Sequence, residues 1–188
     1  MKFQFAFLAA ALALAPMAAP AQIIVSTTAG MAHNCFVAAK AGVKPREGVQ
    51  ICNTALRHDP LTLRDRAATY GNRGVLLNTL DQVDKAEADF KAAIRLYPSL
   101  GDSYVNLGSM LIRKKQFYEA IVQIDKGMAL GMSFAAIGYY NRALALDYLG
   151  RYPEAYADYK KTLDQDSSFK LASDRLKDFV VTRKPGQS

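Results

Sequence analysis

From Ala67 onward the chain repeats itself every 34 residues, and a period of that length confines it to stacked copies of one supersecondary unit. In the first copy Tyr70, Gly74 and Leu77 occupy positions four, eight and eleven. Ala86, Phe90, Ala93 and Pro98 occupy positions twenty, twenty-four, twenty-seven and thirty-two. The copy beginning at Gly101 sets Tyr104, Gly108, Leu111, Ala120 and Ile124 in the same slots, with Gly127 at twenty-seven and Met132 in place of the proline. After one extra residue the pattern resumes at Ala136 with Tyr139, Ala143, Leu146, Ala155, Tyr159 and Thr162, and Ser167 replaces the proline. Within the third copy Tyr152, Ala155, Tyr156, Tyr159 and Leu163 follow helical spacing and form one apolar stripe. Tyr139, Ala143 and Leu146 supply the cover, and the short link through Gly150 permits only an antiparallel helix pair. Small residues at positions eight and twenty let the two helices touch. One pair cannot bury both of its faces, so each unit leans on its neighbours.

This layout resembles the tetratricopeptide repeat family, most closely in the stretches YYNRALALDYLGRYPEAYADYKKTL and YGNRGVLLNTLDQVDKAEADFKAAIRLYP. The resemblance implies an all-α fold, a right-handed superhelical solenoid of antiparallel helix pairs, with repeats at 67–100, 101–134 and 136–169 inside a repeat region 67–169. Arg73 and Arg142 depart from the pattern, standing where position seven is usually Leu.

Upstream, Lys2 precedes an apolar run from Phe5 to Ala15, and Ala19-Pro20-Ala21 offers small residues where a signal peptidase reads. A secretory signal over residues 1–21, cut before Gln22, is expected. The run is about 11 residues, short of the roughly 20 that a spanning helix needs, so no transmembrane span is expected after its removal. A periplasmic or secreted location follows. Cys35 and Cys52 make an even count in an exported chain, and one disulfide is expected. A zinc site from His33, Cys35, Cys52 and His58 fails because residues two apart on a helix point to opposite sides. Set on the repeat grid, residues 29–62 form a degenerate helix pair within a unit spanning 22–66, with Cys35 and Cys52 facing each other and Ala41 to Pro45 as the turn.

Residues 170–188 form the other end. Leu171, Leu176, Phe179 and Val180 mark one apolar side of a capping helix over Lys170 to Thr182, followed by a frayed tail containing Pro185 and Gly186. The formal net charge of +7 is concentrated at the two ends of the chain, which favours weak contact with anionic surfaces there. Export and the lack of aromatic-basic interleaving argue against nucleic acid.

The resemblance further implies that the first helix of each pair lines a concave groove. Position six is Asn in every copy, as Asn72, Asn106 and Asn141, with Asn78 and Ser109 also expected toward the groove. In peptide-binding members of the resembled family, Asn in this slot hydrogen-bonds the main chain of an extended peptide. Positions two and five carry Ala68 and Gly71, Asp102 and Val105, Ile137 and Tyr140. None is cationic, so the chain lacks the clamp that captures a terminal carboxylate. Tyr140 and Tyr148 make the groove partly aromatic. With no phosphate loop, nucleophile elbow or metal triad, neither catalysis nor a cofactor is expected. The expected function is a non-catalytic interaction module holding an extended peptide of an envelope protein. The alternative is a self-associating envelope scaffold without a peptide ligand.

Overall fold

The computed structural model describes residues 3–6, 20–24 and 30–183. Four antiparallel hairpins follow one another: α1 (Met31–Ala41) with α2 (Pro45–His58), α3 (Leu63–Thr79) with α4 (Val83–Leu96), α5 (Gly101–Arg113) with α6 (Phe117–Leu130), and α7 (Ala135–Tyr148) with α8 (Tyr152–Gln165). A short helix α9 (Lys170–Lys177) covers the last pair. Each first helix packs on its own partner and on the first helix of the next hairpin, which produces the stacked, helical solenoid expected from the period.

Local chemistry sets the helix ends. Gly42 adopts the left-handed conformation (φ 62°) and closes α1, while Pro45 opens α2, where a missing N–H costs nothing. Thr62 caps α3 by accepting from the Asp65 N–H at 3.1 Å, and its hydroxyl donates to the Asp65 carboxylate at 2.8 Å. Position fifteen of every repeat is left-handed, occupied by Asp81, Lys115 and Gly150 in turn. The following residue then returns its N–H to the last turn of the first helix: Gln82 to Leu77, Gln116 to Leu111 and Arg151 to Leu146, each at 2.8–2.9 Å. Only Gly150 meets that conformation without a Cβ.

The core lies where two helices of a hairpin touch. Ala86, Ala120 and Ala155 are fully buried. A Cβ at Gly74 would sit 2.6 Å from the Phe90 ring, and one at Gly108 would sit 2.4 Å from Ile124. At Gly127 the neighbour is backbone, since a Cβ there would lie 2.6 Å from the Gly101 carbonyl oxygen. In the first hairpin the Sγ atoms of Cys35 and Cys52 stand at disulfide distance, 2.10 Å, joining α1 to α2. Closing a loop of this size contributes on the order of 3 kcal/mol, which matters for a hairpin stacked on one side only.

The C-terminal end differs from the sequence-based expectation. The capping helix stops at Lys177, five residues before Thr182, and residues Val180–Arg183 form a strand, β2, paired antiparallel with Phe3–Ala6, β1. Val180 therefore belongs to a strand. The N–H of Phe179 already turns back to the Leu176 carbonyl, and the Phe179 ring closes over Tyr152, Tyr156 and Tyr159. The helix is held by Arg175, whose guanidinium pairs with the buried carboxylate of Asp147 on α7. Most of the apolar run assigned to the secretory signal lies outside the described residues, as does the tail beyond Arg183.

The two arginines at position seven have a structural role. Arg73 binds Asp89 through both carboxylate oxygens, at 2.7 and 2.6 Å, and donates a third bond to Asn53 of the preceding hairpin at 2.7 Å. Arg142 repeats this with Asp158 and, in the preceding hairpin, Asp125. One side chain thus joins three helices, and the bond to Asp89 holds the Arg73 guanidinium above its ordinary pKa. Replacing Arg73 by Leu leaves the Asp89 carboxylate, 7% exposed, without its cation. Denaturant titration should show a loss of about 3 kcal/mol, near the low end for a broken buried pair. Removing Asp89 as well, as Leu, should recover most of that loss. Equal, additive losses from the two single substitutions would disprove the coupling.

Candidate functional site

The first helices α3, α5 and α7 present Asn72, Asn106 and Asn141 from the same slot, one per repeat. All three are fully buried, because an extended segment of the chain itself, residues 20–24, lies across them. Ile24 donates its N–H to the Asn72 Oδ1 at 2.8 Å, and the Asn72 Nδ2 donates to the Ile24 carbonyl at 2.7 Å. Gln22 makes the same pair with Asn106, at 2.5 and 2.9 Å. At the third position the Asn141 Nδ2 donates to the Pro20 carbonyl at 2.8 Å. The segment runs opposite to the order of the repeats and spends two residues on each.

That register is a consequence of curvature. Two residues of extended chain advance roughly 6.6 Å, whereas packed helix axes stand about 8–10 Å apart. Successive asparagines can meet alternate residues only because their side chains converge on the inner side of the stack. Alternation also sorts the segment's side chains. Ile24, 1% exposed, enters a pocket of Ala67, Ala68, Ala93 and Leu100. A Cβ at Gly71 would stand 2.3 Å from the Ile24 Cδ1, so that glycine makes room for it. Gln22 is fully buried and donates from Nε2 to the Phe134 carbonyl at 3.0 Å. Ile23, between them, packs toward α1 and α2 beside Cys35 and Ala39.

The other residues singled out in the sequence are placed differently. Ser109 is buried and spends its hydroxyl on the Asn106 main-chain carbonyl at 2.8 Å. Asn78 lies at the groove edge, in an open depression of about 520 Å³ that Pro20, Ala21 and Ile23 also line. Its carbonyl and its Oδ1 both accept from Arg113. Tyr140 is a core residue: it is fully buried against Tyr159 and Phe169, and burial pushes its hydroxyl up to about 12. Tyr148 stacks on Phe117 with ring centroids 4.7 Å apart. The groove is therefore lined by amides and small residues, and its aromatics are turned into packing. Among the described residues no group of three His, Cys, Asp or Glu could hold a metal ion, and no helix is long and apolar enough to cross a membrane.

Models of the tetratricopeptide repeat match residues 136–169 and 67–100. The chain is a tetratricopeptide-repeat protein. The middle copy at 101–134 forms the same hairpin. The TPR domain of Arabidopsis OM64 is similar at 23% identity and TM-score 0.57, over 62% of this chain and 95% of that one. MamA from Desulfovibrio magneticus RS-1 is similar at 19% identity and TM-score 0.59, over 79% of this chain and 82% of that one. Likeness at this level concerns the fold alone. No curated protein matches the sequence.

A buried carboxylate that no motif marks in the sequence stands on the central first helix. Asp102, in the first turn of α5, is 4% exposed and accepts from the Ser133 N–H at 2.9 Å and the Ser133 hydroxyl at 3.2 Å. It ties down the turn between repeats where Met132 stands in place of the expected proline. Burial raises its pKa above 3.8, against the lowering effect of the Ser133 bonds and of the Arg64 charge. An acid whose folded pKa is raised favours folding most below its ordinary pKa and loses that contribution as pH rises through the raised value. Asp102→Asn keeps an acceptor for Ser133 and removes the titration. Its stability relative to the parent should therefore rise as pH climbs from below the ordinary carboxylate pKa through the raised one, read by urea unfolding at a series of pH values. A difference that stays flat with pH would contradict the burial effect.

Proposed function

We propose that this chain works in the periplasm or outside the cell and holds an extended segment of another envelope protein in its concave groove. Tetratricopeptide repeats are protein-interaction modules and in general non-catalytic scaffolds, which supports the reading. The observation that carries the reading is the ladder of Asn72, Asn106 and Asn141 on the main chain of residues 20–24. Amides that bond both N–H and C=O of a strand recognise extended backbone irrespective of its side chains, which is what a peptide groove must do. Each such bond contributes about 1 kcal/mol net, so three rungs set register and direction while pockets supply selectivity.

The export reading rests on Lys2, the Phe5–Ala15 run, the small residues before Gln22 and the paired cysteines. A cut before Gln22 leaves Gln22 and Ile24 on the mature chain, so the rungs on Asn106 and Asn72 survive it. The new α-ammonium at Gln22 then donates to the Asn106 Oδ1 as a charge-assisted bond. Intact-mass measurement on protein recovered from the periplasm should give a chain beginning at Gln22 with Cys35 and Cys52 oxidised. A chain retaining Met1, or two free thiols, would refute export.

Replacing Asn72, Asn106 and Asn141 together by Ala tests the groove. Alanine is the better helix former by several tenths of a kcal/mol per site, so the helices should remain. Cross-linking in the envelope should recover a protein partner with the parent chain and lose it with the triple variant. Recovery that is unchanged by the triple variant would favour the alternative scaffold, docked through its outer face.

A further inference from the structure

The ladder is incomplete. Asn72 and Asn106 each use both ends of the side-chain amide, but the Asn141 Oδ1 is buried and has no hydrogen-bond partner. The residue opposite it is Pro20, which has no N–H to give. A buried acceptor without a donor costs more than a typical hydrogen bond gains, so the third rung weakens the segment's hold on the groove. A cut before Gln22 removes Pro20 and leaves Asn141 to water, so the resident segment then holds the groove by two rungs.

Side-chain chemistry at the other two rungs is defined. The slot beside Asn106 reads a donor, since the Gln22 Nε2 meets the Phe134 carbonyl while its Oε1 is buried without a partner. The slot beside Asn72 is apolar and shaped for a branched aliphatic chain, floored by Gly71.

We propose that residues 20–24 are a resident, displaceable occupant of the groove. The segment that replaces them is an extended stretch of another chain carrying Gln two residues before Ile or Val, with a residue other than proline two before the Gln. This rests on the peptide-groove reading and adds to it the identity of the ligand. The incoming segment keeps the two side-chain contacts and supplies the N–H that Asn141 lacks. It enters in the same direction, with its aliphatic residue on α3 and its first residue on α7. The parent chain resists it because a tethered occupant acts at a high effective concentration.

The probe is a fluorescein-labelled peptide, Ala-Ala-Gln-Ile-Ile-Val with an amidated C-terminus, measured by anisotropy against the full chain and against the full chain carrying Ile24→Asp, which expels the resident segment from its apolar pocket. The Ile24→Asp chain should bind the peptide at least about tenfold more tightly than the parent. A peptide with Pro first should bind about fivefold more weakly, one hydrogen bond's worth. Adding Asn141→Ala to the protein should erase that preference. Peptides with Glu for Gln, or Asp for the second Ile, should each bind about tenfold more weakly or worse.

Should Ile24→Asp prevent folding, as judged by circular dichroism, the same order among peptides is read on the parent chain at higher concentration. Equal binding of the Ala-first and Pro-first peptides, or a preference that survives Asn141→Ala, overturns the third-rung assignment. Binding of the Glu or the Asp peptide as tight as that of Ala-Ala-Gln-Ile-Ile-Val overturns the side-chain motif while leaving the groove reading in place. If no peptide binds either chain, or if Asn72→Ala, Asn106→Ala and Asn141→Ala together leave binding untouched, the groove reading itself fails.

Discussion

The close approach of two helices at small side chains governs this molecule. At position eight Gly74 and Gly108 face Phe90 and Ile124 across their hairpins, Ala143 and Tyr159 are buried in the same two slots of the third repeat, and Ala86, Ala120 and Ala155 are buried on the second helices. Where a large residue stands opposite a glycine, the ring or branch fills the space that a Cβ would take, so the seam is close-packed. The approach is tightest between α5 and α6, where Gly101 and Gly127 bring backbone against backbone. Glycine inside a helix costs up to about 1 kcal/mol relative to alanine. The contact outweighs that cost because a methyl group at either position would have to enter a carbonyl oxygen.

From this seam follows the curvature, and from the curvature follows the groove. Second helices lie on the outer side and first helices on the inner side, so equivalent side chains of α3, α5 and α7 converge inward. Asn at position six is then a main-chain reader by placement. The same three residues on an isolated helix would be solvated amides with a mild cost in helix propensity. The central helix shows how far the inner side is covered. From Gly101 to Met110 every residue of α5 is buried, flanked by α3, α7, its partner α6 and the segment at residues 20–24.

Much of this was legible in the sequence, because a period is a redundant signal. Each helix pair states the fold again, and a departure in one copy is outvoted by the others. Features that depend on contacts between distant residues were not legible. The bonds to residues 24, 22 and 20 span 48, 84 and 121 residues, and nothing in the sequence of Pro20 to Ile24 marks it as an occupant. Tyr140 was assigned to the groove by its slot, but the slot at the last repeat faces α9 and not a further hairpin, so the ring is covered by Tyr159 and Phe169. The arginines at position seven had a readable partner: Asp89 and Asp158 both stand at position twenty-three, while the middle copy has Leu107 and Gln123 in those slots. Paired change at two positions is a signal even within one chain. For α9, helical spacing continued through Val180, but Phe179 gains more by closing over three tyrosine rings than by extending the helix.

The two ends and the groove solve one problem in three ways. A stack of hairpins has an exposed inner side and two exposed ends, and each exposes polar backbone or apolar seam. At the first end two cysteines at bonding distance join α1 and α2. At the last, Arg175 on α9 reaches Asp147, which also accepts from the Tyr159 hydroxyl at 3.2 Å, so one carboxylate anchors both the cap and the ring beneath it. Along the inner side the asparagines can bond either water or a strand, and the exchange between those two states is close to balanced in hydrogen-bond energy. What tips it is apolar burial at one rung, where Ile24 leaves water for the pocket floored by Gly71. Main-chain rungs therefore fix where a segment sits, and a single aliphatic side chain decides how long it stays.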